Sequence, residues 1–73
     1  MPGAVTVRTP ALRYWRTRRA RLQDELAQLA GVGIMSVHRG ESGLPLRLDI
    51  VRKLAVALEV DPAALMAQPP AED

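Results

Sequence analysis

Cysteine and phenylalanine are absent from this chain of 73 residues, and its only aromatic side chains are Tyr14 and Trp15. Without cysteine, neither a disulfide nor a thiolate metal site can reinforce a small core. One histidine, His38, leaves too few ligands for a zinc site. So few rings argue against a platform that stacks unpaired bases. No apolar run approaches the ~20 residues that span a bilayer, and the start MPGAVTVRTP lacks the basic-then-apolar order of a secretory signal. The sequence also offers no glycine-rich phosphate loop, no Ser/His/Asp constellation and no metal-ligand cluster. These absences describe a cytoplasmic protein with no membrane association, no enzymatic activity and no cofactor. It is one domain, near the lower size limit for a chain held by packing alone.

What is present is helical. No strand pattern and no internal repeat is visible. Residues 1–8 have Pro and Gly but no helical period, and read as a flexible arm. Thr9-Pro10 is a start signal, with Thr as N-cap and Pro at the first helical position, for a helix ending near Arg19 or Ala20. Further helices are expected over about Gln23–Ala30, Ile34–Glu41, Leu48 or Asp49 to Leu58, and Ala63–Met66. Val51, Leu54, Ala55 and Leu58 form the i, i+3, i+4, i+7 stripe of the fourth. Asp61-Pro62 caps the fifth, and Gln68-Pro69-Pro70 ends it. The expected organisation is an arm over 1–8, a helical domain over 9–67 and a disordered acidic tail over 68–73.

The segment QDELAQLAGVGIMSVHRGESG, residues 23–43, carries the most information. Leu26, Ala27 and Ala30 share one face, and the small alanines allow a second helix to approach closely. Gly31 falls where a helix must stop and the chain must turn, a position suited to positive φ. Val32 anchors the turn before the next helix. Two short helices in this order form a helix-turn-helix, the unit whose second helix enters the DNA major groove. The charge distribution agrees with such a role. Residues 1–40 carry seven arginines against Asp24 and Glu25, a net +5, whereas residues 41–73 sum to −3. A solvated arginine face on a small soluble domain would give the same count.

Several motifs in order resemble the Cro/C1-type, or Xre, family of helix-turn-helix regulators: Leu12-x2-Trp15-Arg16, Gln23-x2-Leu26-Ala27-x3-Gly31-Val32, Ser36-Val37-x3-Glu41-x-Gly43, and Val51-Arg52-Lys53-Leu54-Ala55-x2-Leu58 followed by Val60-Asp61-Pro62. The resemblance covers Leu12 to Met66. It implies an all-α, compact five-helix lambda-repressor-like domain with the helix-turn-helix in helices 2 and 3. It also implies a bacterial or phage-encoded repressor-like protein, nucleoid-associated when bound, reading double-stranded DNA as a homodimer. Carried over by position, Gln23 is the phosphate contact and Ile34, Met35, Ser36 and Arg39 are readout positions, with His38 beside them. Arg47 meets the backbone before helix 4. Arg16 and Glu41 occupy the places of a structural ion pair.

The chemistry of those positions suits the roles. Arg39 can hold guanine O6 and N7 together, Ser36 can bond a base edge, and Ile34 and Met35 can contact a thymine methyl. Two adjacent apolar residues would also suit a protein interface, so the competing function is a protein-interaction module or antitoxin-like partner.

Departures from the family pattern are physical. Leu22 replaces a capping Ser or Thr, which costs about 1 kcal/mol, and Gly33 replaces another cap at a few tenths. Glu59 stands where Gly commonly ends helix 4. Gly40 stands where a large aliphatic is usual, so a core vacancy is expected there, to be filled by a partner subunit, Trp15 or Met35, or by an introduced isoleucine. A second register, with His38-Arg39-Gly40 matched to Glu-Arg-Gly, would end helix 3 early and lose the ion pair. The ungapped register keeps both.

Overall fold

The computed structural model describes residues 5–71. Residues 1–4 of the expected arm, and Glu72 and Asp73 of the expected tail, lie outside the described residues. Five helices follow one another: α1 (Leu12–Arg18), α2 (Gln23–Ala30), α3 (Ile34–Glu41), α4 (Leu48–Leu58) and α5 (Pro62–Met66). Among the described residues, no helix is long and apolar enough to cross a membrane.

The fold is mostly helical but not wholly so. Thr6–Val7 forms a strand, β1, that pairs antiparallel with β2, Leu46–Arg47. Thr6 lies opposite Arg47 and Val7 opposite Leu46. The Leu48 N–H donates to the Val5 carbonyl at 2.9 Å and extends the ladder. Arg8 Nε donates to the Gly43 carbonyl at 3.1 Å and ties down the other end. This corrects the expectation of a strandless chain: within the flexible arm expected over 1–8, residues 6–7 are paired in the ribbon. A two-residue strand is too short to show an alternating pattern.

Local chemistry explains the helix ends. Thr9 does not cap α1: its side chain is buried, its hydroxyl has no partner, and Ala11 holds the N-cap position. The Thr9 carbonyl instead accepts from Leu12 N at 3.0 Å. Leu22 cannot cap α2 with its side chain, but the Glu25 carboxylate reaches back to Leu22 N at 2.8 Å and supplies half of a capping box. Gly31 ends α2 at φ +71, and Val32 N then donates to the Ala27 carbonyl. Asp61 caps α5 by accepting from Ala63 N at 2.8 Å, with Pro62 at the first helical position. Among the described residues, two non-glycine residues take positive φ, Ala20 after α1 and Glu59 after α4.

Leu12, Leu26, Val37, Leu46, Val51, Leu54, Leu58 and Leu65 form the buried core, with Trp15 packed at its edge. α3 runs unbroken through Gly40 to Glu41, the span that the ungapped register requires. The expected vacancy at Gly40 does not exist. A Cβ there would lie 2.7 Å from Leu12 Cδ2, 2.8 Å from Leu46 Cδ1 and 3.0 Å from Thr9 Oγ1. Met35, one candidate filler, is exposed. The space is taken by Leu12 and by Leu46, which the β2 pairing holds in place.

Candidate functional site

α2 and α3 pack against each other across a turn of three residues, Gly31–Gly33. The periodicity of α3 divides it into faces. Val37 and Gly40 are buried against the core. Met35 and Arg39, one turn apart, occupy the opposite, exposed side. Ile34 is 40% exposed and Met35 63% exposed, so the first turn of α3 presents an apolar pair to solvent. Ser36 is half-buried, and its N–H donates to the Gly33 carbonyl.

On a third flank, His38 and Glu41 line a polar cleft with Arg13, Arg16 and Gln23. Glu41 organises it. Arg16 Nε donates to Glu41 Oε2, Arg16 Nη2 donates to Glu41 Oε1 at 3.0 Å, and Gln23 Nε2 donates to the same oxygen at 3.1 Å. Arg16 Nη1 also donates to the Arg21 carbonyl at 2.8 Å, fixing the turn between α1 and α2. The two charged side chains are only 12% and 7% exposed. The hydrogen bond to Glu41, aided by its charge, holds the Arg16 guanidinium above its ordinary value against the opposing effect of burial. Because the folded-state value is the higher one, this stabilisation is complete at neutral pH. It is lost as pH climbs through the raised guanidinium range.

Six of the seven expected contact residues therefore fall into three groups, and half-buried Ser36 belongs to none of them. Ile34, Met35 and Arg39 lie together on the outer side of α3. Gln23 and His38 lie in the Glu41 cleft, with one Gln23 amide hydrogen already engaged. Arg47 stands apart on β2, exposed and paired to Asp49 at 3.0 Å. Arg13, an exposed arginine of α1, joins the cleft because it precedes Arg16 by three residues, on the same side of the helix.

The arginine excess is smaller in effect than in count. Arg19 Nε donates to the Leu58 carbonyl at 2.8 Å, and its guanidinium lies 5.6 Å from the Trp15 ring centroid. It is exposed, yet it closes the end of α4. Arg18 lies over Tyr14 at 5.7 Å. Arg8, Arg16 and Arg47 are also engaged, as described. Among the described residues, Arg13, Arg21 and Arg39 are in neither ion pair, and no group of three or more acidic or histidine side chains could hold a metal. No family model, curated protein or solved structure matches the chain.

Proposed function

We propose that this protein is a helix-turn-helix module of the five-helix lambda-repressor-like kind, binding double-stranded DNA sequence-specifically as a transcriptional regulator. The observation that carries the reading is the arrangement of α2 and α3. They are short helices joined by a glycine turn, the second with Val37 and Gly40 buried and Met35 and Arg39 outward. Such a second helix can lie in a major groove while its inner face stays packed. Arg39 offers a bidentate donor to guanine, and Ile34 and Met35 offer apolar contact to a thymine methyl. Gln23, at the start of α2, and Arg13, in the adjoining cleft, would meet phosphate. One α3 reads only a few base pairs, so specificity calls for two copies on half-sites about one helical turn apart.

Selection of bound duplexes from a random pool at low salt tests the reading. Enrichment of a two-fold related motif, with affinity falling linearly in log–log fashion as salt rises, is the expected result. The exposed pair Ile34 and Met35 favours one competing function, a protein-interaction module. Failure to enrich any motif at low salt would overturn the DNA-binding reading and favour that one.

A further inference from the structure

The helical period of α4 sorts its side chains into two stripes. Val51, Leu54, Ala55 and Leu58 are buried, whereas Asp49, Arg52, Lys53 and Val56 follow one another on the exposed side. Val56 is 79% exposed, the most exposed large apolar side chain among the described residues, and Leu29 of α2 is 53% exposed. One exposed aliphatic is ordinary on any surface. These two come from different helices and, with Ala30 and Ala57, wall a single groove of about 450 Å³ between α2 and α4. Asp49, Arg52 and Lys53 complete its lining, and no residue of α3 enters it. The groove therefore takes no part in the function proposed above, nor in the competing one through Ile34 and Met35.

Shape and charge together select an occupant. Two packed helices leave a furrow between them into which the ridge of a third helix fits. α4 has 11 residues, and its length of about 16 Å would support about three turns of a partner helix. The Asp49 carboxylate is already engaged, with Arg47 Nε donating to one oxygen at 3.2 Å and Arg47 Nη2 to the other at 3.0 Å. Arg52 and Lys53 enter no ion pair among the described residues. The uncompensated charge beside this apolar floor is thus positive. A second copy docked here face to face would bring the same two cations against these, and like charges across an interface oppose association. An amphipathic helix with acidic flanks, from another protein, satisfies the floor and the cations at once.

We propose that the α2–α4 groove docks an acidic amphipathic helix of a different protein. The apolar stripe of that helix packs on Leu29 and Val56, and its carboxylates face Arg52 and Lys53. The contact needs no nucleic acid and is tested without it. The probes are two stapled helical peptides of about three turns, with leucine along one stripe and either glutamate or lysine at every other position. Each is titrated into the full chain at low salt and followed by amide NMR. The glutamate peptide should shift the amides of Leu29, Ala30, Val56 and Ala57 and bind at least about tenfold more tightly than the lysine peptide. The double variant Arg52→Glu/Lys53→Glu should invert that preference. Val56→Ser should weaken the glutamate peptide by at least about fivefold. All three positions are exposed, so circular dichroism should be unchanged in both variants, and either variant alone tests the site if the other disturbs the fold. Silence at the four groove amides, or equal affinity for the two peptides, overturns the proposal. So does a dimer of the chain alone, seen by sedimentation equilibrium, that Val56→Ser dissociates, since it would give the groove to a second copy.

Discussion

Leu46 closes over Gly40: a Cβ on the glycine would fall 2.8 Å from Leu46 Cδ1, inside van der Waals contact. Gly40→Ile should therefore lower the thermal midpoint, at a cost of about 1–3 kcal/mol or more from overpacking. Trimming the obstruction in the double variant Gly40→Ile/Leu46→Ala should recover part of that loss. Scanning calorimetry of the three proteins checks it, and a rise in midpoint for Gly40→Ile alone would contradict the packing.

Arg16→Ala should destabilise the fold by about 3 kcal/mol, because it leaves the Glu41 carboxylate largely buried with only Gln23 as donor. Arg16→Lys should cost less than alanine yet more than a surface change, since an ammonium cannot reproduce the two-pronged contact. Urea denaturation measures both. Equal midpoints for Arg16→Ala and the parent protein would show that the pair contributes nothing.

Thr9→Val should stabilise the protein by about 1 kcal/mol. It replaces an unpartnered buried hydroxyl by a methyl of nearly the same shape. Thermal unfolding checks the sign, and a clear loss would mean that the hydroxyl has a partner in solution.

Ala20→Gly should also stabilise, by about 0.5–1 kcal/mol. The left-handed backbone at φ +56 penalises a Cβ, and only part of the gain is offset by the greater freedom of glycine in the unfolded chain. Chemical denaturation measures it, and a loss would show that the alanine is not strained.

Arg39→Ala should weaken binding to a selected duplex by about 1–3 kcal/mol and relax choice at one base pair. An equal loss on all sequences would make Arg39 a phosphate contact. Replacing thymine by uracil in the same duplex removes the methyl groups that Ile34 and Met35 would touch. Titration with both duplexes should show a preference for thymine that Met35→Ala reduces.

Periodic segments were legible in the sequence and short or long-range features were not. Gly31 and the alanines of α2, the Val51–Leu58 stripe and the Asp61-Pro62 signal mark helices because each acts through neighbours three or four residues away. The β1–β2 pairing has only two residues a side and no period. Thr9-Pro10 misled because a start signal says nothing of whether the threonine will be swallowed by the core. Glycine at position 40 reads as a deficit when α3 is taken alone, since its filler, Leu46, arrives from a strand the pattern does not reveal. Arg16 and Glu41 stand 25 residues apart and were legible as partners only through the family resemblance. The outer side of α3 could be read from its spacing, but the engagement of Gln23 by Glu41 and of Arg19 by Leu58 could not.

The β1–β2 ribbon also sets an order of events. β1 is synthesised before α1, yet its partner emerges from the ribosome only after α1, α2 and α3 have been made. A loop of that length closes late, once local helices have formed and brought its ends together. Until then Leu46 has no strand to hold it, and the surface around Gly40 stays open to water. With so few ladder bonds, the ribbon should also be among the first parts of the native protein to open, exchanging the amide hydrogens of Val7 and Leu48 sooner than those of Leu54 or Ala55.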